Sequence, residues 1–164
     1  MKDLILISII ALTFGGVSCK NKGTSATETI PNKDTTIDKD KNMKSFISLF
    51  EIPATDISRA INFYQTILDI KIEKMEMPGM EMGIFPYDGQ MVTGVIVNSE
   101  GYRPSADGVT IYLNGGDNLQ HILNKVNENG GKIIIPKTSH ADGNGFFALF
   151  TDTEGNKLGL NSPN

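Results

Sequence analysis

The 164-residue sequence has no tryptophan, a single cysteine and two histidines. One cysteine excludes an internal disulfide and any zinc or iron–sulfur site built from several thiolates. Two histidines leave little material for a metal centre rich in imidazole ligands. The sequence also lacks a phosphate-binding glycine loop, a nucleotide-binding glycine fingerprint and the Gly-x-Ser-x-Gly turn of serine hydrolases. Enzymes that depend on those elements are therefore disfavoured as candidate functions.

Basic side chains are also scarce in most of the chain. Residues 45–164 hold eight basic and fourteen acidic side chains, so this segment carries a net charge of −6. Residues 20–44 hold six basic and four acidic side chains. Binding to the phosphate backbone of nucleic acids depends on clustered positive charge. We therefore expect no nucleic-acid partner.

The N-terminus is typical of an exported protein. An apolar run at residues 4–14 is too short to span a bilayer, and small residues then lead to the single thiol at Cys19 in the order Gly-Val-Ser-Cys. This order resembles the lipobox of bacterial lipoproteins, in which the cysteine is acylated and becomes the mature N-terminus. The resemblance predicts a lipoprotein signal peptide at residues 1–18 and a lipid-anchored protein at the bacterial cell envelope, outside the cytoplasm. An ordinary cleaved signal peptide or a buried N-terminal helix is the alternative.

The segment behind the signal is poor in apolar residues. Residues 20–44 contain four apolar side chains in twenty-five, which is too few to offset the entropy cost of ordering a chain. We therefore predict a disordered tether over residues 19–44, which holds a domain near the membrane surface. The remaining residues, 45–164, are long enough for one domain.

The first half of that domain begins with an apolar run near residues 45–52. Asp56 is the predicted N-cap of a helix, because apolar residues recur behind it at helical spacing: Ile57, Ala60, Ile61, Tyr64, Ile67 and Leu68. Three strands are predicted near residues 70–77, 80–87 and 91–98. The dipeptides Pro78-Gly79 and Asp88-Gly89 between them favour tight turns.

The same order of elements returns 61 residues later. A strand is predicted at Val109–Leu113 and a helix cap at Asp117, followed by the apolar stripe Leu119, Ile122, Leu123 and Val126. Strands follow near residues 132–136, 144–151 and 156–160. Each βαβββ unit would leave one apolar sheet surface uncovered, so the two must pair. The sequence thus predicts an α+β domain whose two βαβββ units form a cupped eight-stranded sheet.

Two motifs carry a family resemblance. The first comprises residues 50–56, Phe-Glu-Ile-Pro-Ala-Thr-Asp, with residues 59–64, Arg-Ala-Ile-Asn-Phe-Tyr. The second spans residues 146–160 and includes Asp-Thr-Glu-Gly-Asn. In order and spacing they resemble the glyoxalase/bleomycin-resistance/dioxygenase family, also called the vicinal oxygen chelate (VOC) superfamily, over residues 45–161. The subgroup related to lactoylglutathione lyase is the most similar in character.

Each motif residue also has a structural interpretation. Asp56 is expected to cap a helix, and Arg59 to be solvated or paired with Asp56. Phe63 and Tyr64 are expected in the core, and residues 155–156 in a turn. These roles identify a fold, and a fold does not by itself determine a function.

The resemblance implies positions for a metal site. Metal-dependent members of the family place His, Gln or Glu at the start of the first strand of each unit and Glu on the last strand. Counting from the motifs puts Leu49 and Thr110 at the first-strand positions, and Asn98 and Gly159 at the last-strand positions. Leucine and glycine offer no side-chain donor, and threonine and asparagine oxygens are weak ligands. We therefore expect no metal of the family type and no other cofactor.

The resulting hypothesis is a domain that binds a small, largely apolar or mixed molecule in the cavity of the cupped sheet. The candidate pocket residues are Leu49, Met77, Phe85, Asn98, Thr110 and Gly159. His140, in a glycine-rich loop, is the candidate for acid–base catalysis or ligand contact, whereas His121 is expected on a solvated helix surface. A metal-dependent lyase, isomerase or dioxygenase and a non-catalytic envelope module are the alternatives. The two units pair within one chain or swap between two, so a homodimer is also open.

Methionine is concentrated in one short segment. Five of the seven methionines lie within residues 75–91, and four of them form Met-Glu-Met-Pro-Gly-Met-Glu-Met across a predicted turn. Alternating methionines on two hairpin strands would lie on one face, where flexible thioethers line a pocket or fill a gap in the core. Thioethers at this spacing could also hold Cu(I). The sequence leaves both interpretations open.

Overall fold

The computed structural model of the protein describes residues 45–164. These residues form eight strands and two helices: β1 (Leu49–Pro53), α1 (Ile57–Leu68), β2 (Glu73–Met77), β3 (Met80–Ile84), β4 (Thr93–Ser99), β5 (Tyr112–Asn114), α2 (Gln120–Glu128), β6 (Lys132–Ser139), β7 (Phe146–Thr151) and β8 (Lys157–Ser162). Neither of these two helices is long and apolar enough to cross a membrane. The predicted signal peptide, the lipidation site at Cys19 and the predicted tether lie outside the described residues.

The element order confirms the predicted α+β repeat of two βαβββ units. Strands β1 to β4 form one sheet in the order β1-β4-β3-β2, and β5 to β8 form a second in the order β5-β8-β7-β6. In each sheet the first and last strands pair in parallel, and the other pairs are antiparallel. Hydrogen bonding therefore divides the eight strands between two four-stranded sheets, in which β1 and β5 are edge strands.

Helix α1 begins where the sequence predicts. Asp56 has an extended backbone, and its Oδ1 accepts a hydrogen bond from the backbone N–H of Arg59 at 2.9 Å. This bond satisfies one of the free donors at the start of the helix. The apolar stripe lies inward, and its buried members are Ile57, Ala60, Ile61, Phe63, Tyr64 and Ile67.

The predicted cap of the second helix is wrong. Helix α2 begins at Gln120, and the Oδ1 atom of Asn118, not Asp117, accepts a hydrogen bond from the backbone N–H of Gln120 at 3.0 Å. The two units differ here because five residues connect β5 to α2, whereas three connect β1 to α1. Gly116 contributes a left-handed turn (φ 65°) to the longer connection. The predicted apolar stripe is correct, since Leu119, Leu123 and Val126 are buried.

One apolar core joins the two units. It contains the inward surfaces of both helices together with side chains from both sheets, among them Ile52, Ile96, Phe150 and Leu160. Phe63 of α1 lies 6.2 Å from Phe150 of β7 between ring centroids, so the first helix packs directly on the second sheet. Fully burying a side chain of this size stabilises a fold by about 1.5–3 kcal/mol. The core explains why the units pair.

The surface of each sheet opposite the helices is called the open face here. Side chains alternate along a strand, so Leu49 and Glu51 of β1 lie on the open face while Phe50 and Ile52 lie on the helix side. The exposed fractions agree with this assignment, because Leu49 is 46% exposed and Ile52 is 2% exposed.

The two sequence motifs meet at one junction between the units, which we call the closed joint. It joins the start of α1, residues 55–59, to the β7–β8 connection, residues 152–156. Arg59 donates from Nε to Oε1 of Glu154 at 2.8 Å and from Nη2 to Oε2 at 2.9 Å. Oε2 also accepts the hydroxyl and the backbone N–H of Thr55, each at 2.8 Å. The expected ion pair of Arg59 with Asp56 is present at 3.6 Å, but the shorter contact is with Glu154.

A second carboxylate completes the closed joint. The hydroxyl of Tyr64 donates to Oδ2 of Asp152 at 2.6 Å, and Oδ1 accepts the backbone N–H groups of Glu154 and Asn156 at 2.9 and 2.8 Å. Asn156 Nδ2 donates to the carbonyl of Pro53 at 2.7 Å, at the end of β1. Asp152 is 4% exposed. Both motifs therefore hold the units together through hydrogen bonds to two buried carboxylates, those of Asp152 and Glu154.

The closed joint shifts the pKa values of Glu154 and Tyr64. Burial disfavours the charged form of Glu154, but hydrogen bonds from Arg59, Thr55 and the Asp56 backbone outweigh it and lower the pKa from 4.5 to about 2. Burial, followed by the charge and the hydrogen bond of Asp152, raises the pKa of Tyr64 well above its usual value. At neutral pH the joint thus contains ionised Glu154 and a neutral phenol.

Candidate functional site

A second junction between the units, which we call the open joint, encloses a cavity. In this junction the start of α2, residues 118–122, faces the β3–β4 connection, residues 85–92, across a space of about 990 Å³. The same two kinds of element, a helix start and a strand connection, make direct polar contacts in the closed joint. At the open joint they are separated by a space large enough for a small molecule.

The first unit contributes the apolar end of the cavity. Phe50 and Phe85 pack edge to face with their ring centroids 6.0 Å apart. Leu68 and Ile70, at the end of α1, and Val92, before β4, extend this apolar wall. Gly94 permits the arrangement, because a Cβ atom at this position would overlap the Phe50 ring. An apolar part of a ligand would therefore lie against the first unit.

The second unit contributes the polar end. Asn114, Asp117, Asn118 and His121 line the cavity between β5 and the first turn of α2. Asn118 is held in place by two contacts, since its Oδ1 atom also accepts a hydrogen bond from Lys137 Nζ at 2.9 Å. Asp117 is exposed toward this space and free of the helix-capping role predicted for it. The polar end thus offers a carboxylate, an imidazole and amide groups for hydrogen bonding.

The predicted pocket residues do not all come together. Phe85 and Thr110 line the cavity. Leu49, Met77 and Gly159 lie instead on the open face, which the alternation of side chains along each strand indicates.

Asn98 lies on neither of these surfaces. Its Nδ2 atom donates to the Thr55 carbonyl and to Glu81 Oε2, both at 3.4 Å, on the helix side of the first sheet. The open-face residues of β4 are Thr93, Val95, Val97 and Ser99. The offset of 61 residues fails in this strand because the two units have connections of different length.

The positions of a family-type metal do not supply a ligand set. Leu49 and Gly159 present no donor on the open face, Asn98 lies on the other surface, and Thr110 lies in the cavity. Tyr112 is adjacent to Gly159 in the parallel pair, and its ring lies on the glycine, where a Cβ atom would overlap it. Within residues 45–164, no three His, Cys, Asp or Glu side chains are grouped closely enough to hold an ion. These residues therefore do not fit the divalent metal of the family.

His140, the candidate catalytic residue, lies on the open face of the second sheet. Its Nε2 atom is 2.7 Å from Oδ1 of Asn161, and its ring packs 5.2 Å from that of Phe147 between centroids. An amide oxygen accepts hydrogen bonds, so in this contact the imidazole is the donor. His140 does not line the cavity between the units, so the structure does not bring it together with Phe85 and Thr110.

Sequence reasoning missed three cavity residues. Asp117 was interpreted as a helix cap, Asn118 was assigned no role, and His121 was expected to be solvated, which it is, although it also borders the cavity. The signal that could have indicated their position is the Gly115-Gly116 pair before them, which lengthens the connection between β5 and α2. A connection of this kind is a common place for binding residues.

Comparisons with known proteins agree with this architecture. Residues 47–160 match the Glyoxalase/Bleomycin resistance protein/Dioxygenase superfamily. A curated protein from Didymella fabae, the "Glyoxylase-like domain-containing protein", is 33% identical over 113 residues, which cover 67% of this chain and 88% of that protein.

Three solved structures show the same fold at low identity. TnmS3, an antibiotic binding protein from Streptomyces sp. CB03234, has a TM-score of 0.58 and 21% identity, covering 73% of this chain and 97% of its own. FosX, a fosfomycin resistance protein from Listeria monocytogenes, has a TM-score of 0.55 and 15% identity, with coverages of 74% and 96%. A mutant of glyoxalase I from Zea mays has a TM-score of 0.58 and 16% identity over 70% of this chain, which spans only 44% of the maize protein.

Proposed function

Because the chain belongs to the glyoxalase/bleomycin resistance/dioxygenase superfamily, we propose that its domain binds a small molecule of mixed polarity at the open joint, without a bound metal. The observation that carries this proposal is the cavity of about 990 Å³ between an apolar wall and a polar one. Binding sites for small molecules are mostly apolar, with a few polar groups that orient the ligand. The antibiotic-binding and fosfomycin-resistance proteins of the same fold are consistent with a binding role.

The lining also indicates a ligand class. Phe50 and Phe85 would contact an apolar or aromatic body. Asp117 would favour a cationic group or a group rich in hydrogen-bond donors at the other end, because an unpaired anion in the ligand would be repelled by this carboxylate. An amphipathic amine satisfies both requirements.

Two probes with the same ring system test this preference. 2-Naphthylmethylamine is cationic and 2-naphthoate is anionic at neutral pH, so a difference in affinity reports the charge preference of the site. We expect the amine to bind more tightly, and Asp117→Asn to reduce that preference by about tenfold, which corresponds to about 1.4 kcal/mol. Fluorescence titration measures both constants. Equal affinities in the unmodified protein would contradict the ligand class.

A matched pair of substitutions tests the location. Ile122→Trp places a large ring in the cavity, whereas Ile134→Trp adds the same ring at an exposed position of β6 outside it. We expect Ile122→Trp to abolish binding of the amine and Ile134→Trp to leave it unchanged. Thermal melts of both variants confirm that each remains folded. Unchanged binding in the Ile122→Trp protein would place the ligand elsewhere.

The location in the cell is a separate proposal. An apolar segment followed by small residues and Cys19 supports lipid anchoring of the domain at the envelope. Cys19→Ser should convert a protein that fractionates with membranes and incorporates labelled fatty acid into one that does neither. Identical fractionation and labelling of both proteins would contradict the proposal.

The alternative of a metal-dependent lyase, isomerase or dioxygenase has less support. Such chemistry requires several donors around one ion, and Leu49 and Gly159 offer none at the positions that the family uses. The imidazole of His140 is the feature that favours catalysis, and it lies away from the proposed cavity.

A further inference from the structure

The β2–β3 hairpin carries four methionines on one of its surfaces. Met75 lies opposite Met82 and Met77 lies opposite Met80 in the antiparallel pair. Directly opposite residues have their Cβ atoms about 4.5–5.5 Å apart and point to the same side of the sheet. Gly83, between Met82 and Ile84, faces Ile61 of α1, which places the methionines on the open face. Four thioethers therefore share one patch.

The other surface of the hairpin is ionic. Lys74 Nζ lies 2.7 Å from Glu76 Oε1 and 2.8 Å from Glu81 Oε1. These two carboxylates alternate with the methionines in sequence, so they point away from the thioether patch and are paired with a lysine. Glu73, at the end of β2 away from the turn, is the one carboxylate of this hairpin on the methionine side, so a hard divalent cation, which prefers several oxygen ligands, would find a single donor there.

The methionines do not have the roles that usually explain this residue. Met75 and Met77 are 41% and 44% exposed on β2, an edge strand in which every residue is exposed. They are thus not core residues, and the hairpin methionines do not line the cavity at the open joint. Edge strands more often carry charged side chains, which discourage association with other chains. The hairpin methionines therefore need an explanation other than lining the cavity.

We propose that Met75, Met77, Met80 and Met82 form a binding site for Cu(I) on the open face. Thioether sulfur is a soft ligand that selects Cu(I) over divalent ions that prefer oxygen or nitrogen. Each methionine side chain has three rotatable bonds, so sulfur atoms from two neighbouring cross-strand pairs can approach one ion between them. The hairpin sets the spacing of the four methionines, and the turn at Pro78-Gly79 fixes the register in which β2 pairs with β3. The ion binds as Cu(I) and leaves as Cu(I), so no oxidant or reductant takes part.

The experiment uses the full chain with Cys19→Ser throughout, because a thiol would bind the same ions. Ag(I), a redox-inert analogue, and Cu(I), under anaerobic conditions, are titrated against a chromophoric Cu(I) chelator. The test variants replace one cross-strand pair each: Met75→Leu with Met82→Leu, and Met77→Leu with Met80→Leu. Leucine conserves the volume and apolar character of methionine, which favours retention of the fold. Met91→Leu, at an exposed position outside the hairpin, is the matched control.

We expect one equivalent of Cu(I) or Ag(I), at least about tenfold weaker affinity in each pair variant, no binding when all four are replaced, and unchanged affinity in the control. Nuclear magnetic resonance of the methionine methyl groups provides a second measurement, in which four signals should shift with Ag(I) while that of Met91 does not. Zinc should shift none of them. The proposal is overturned if the unmodified protein binds no stoichiometric Cu(I), if either pair variant binds as tightly as the parent, or if the four hairpin methyl signals do not respond.

Discussion

The closed joint and the open joint are built from corresponding elements of the two units, yet one is filled with hydrogen bonds and the other contains a cavity. In the closed joint, Arg59 at the start of α1 binds Glu154 in a connection of five residues, 152–156. In the open joint, the start of α2 has no arginine, and the facing connection is eight residues long, 85–92. The two joints thus occupy corresponding positions in the fold, but their side chains make different contacts.

The difference shows what the family motifs do in this chain. Asp56, Arg59, Tyr64, Asp152 and Asn156 all lie in the closed joint, where they connect the units, and none of these motif residues lines the cavity. These polar motif residues therefore serve the assembly of the two units, and Phe50 is the residue of the first motif that lines the cavity. The residues of the open joint are free to differ, which is consistent with one fold that carries many functions.

The largest effect on stability should come from removing the second unit, which contributes one half of each joint. A fragment of residues 45–105 lacks the second unit and exposes the inward surfaces of α1 and the first sheet. We expect it to be unfolded or aggregated, whereas the fragment 45–164 melts cooperatively. Circular dichroism measures the folding and melting of the two fragments, and analytical ultracentrifugation measures their association. A monomeric, cooperatively melting half would show that the first unit is stable without either joint.

Breaking the closed joint alone should lower the free energy of unfolding by less than the loss of a whole unit does. Asp152→Ala leaves the Tyr64 hydroxyl and two backbone N–H groups without their acceptor, and we expect a loss of about 3 kcal/mol in the free energy of unfolding. Urea denaturation provides the measurement. The control is Asp88→Ala in the facing connection of the open joint, where an exposed carboxylate should change stability by less than about 0.5 kcal/mol. Equal effects at the two positions would remove the contrast between the joints.

The closed joint should also be sensitive to acid. The folded pKa of Glu154, about 2, is below its unfolded value of 4.5, so its ionised form stabilises the fold above about pH 4.5. This contribution should decline as the pH falls from 4.5 toward 2. The melting temperature should therefore fall less steeply over this range in Glu154→Gln, which starts from a lower value at pH 7. Parallel pH profiles of the two proteins would mean that Glu154 is not held in its charged form.

The smallest expected effect is that of a chelator on the untagged domain. Leu49 and Gly159 offer no donors, so we expect no stoichiometric zinc, nickel, iron or manganese, and no change in melting temperature with EDTA. Elemental analysis measures the metal content of the domain, and thermal melts with and without EDTA measure the effect of the chelator. About one equivalent of such a metal, lost on mutation of Glu51, would make the open face the candidate catalytic site.

Local features were predictable from the sequence, and contacts between distant residues were not. The cap at Asp56, the two apolar helix stripes and the repeat of two units follow from spacing within a few residues. The partner of Arg59 lies 95 residues away, so the nearer Asp56 was the natural expectation. Asn98 was misplaced because a constant offset of 61 residues ignores length differences between corresponding connections, among them three residues against five before the helix and eight against five before the last strand.

The candidate site was predictable only in part for the same reason. Phe85 and Thr110, which the sequence analysis assigned to a pocket of the cupped sheet, line a cavity between the edge strands of two separate sheets. Strand alternation correctly predicts that the hairpin methionines share a face. It does not predict which face is covered, because that depends on where the helices pack.

The contact between Tyr112 and Gly159 couples two positions that face each other across the parallel strands. Any side chain at position 159 would collide with the tyrosine ring. Introducing a metal ligand there would require Tyr112 to be replaced or displaced first, and that step alone would bring no metal affinity. A single substitution at either position therefore gains nothing, and a donor at position 159 can be tolerated only when both residues change.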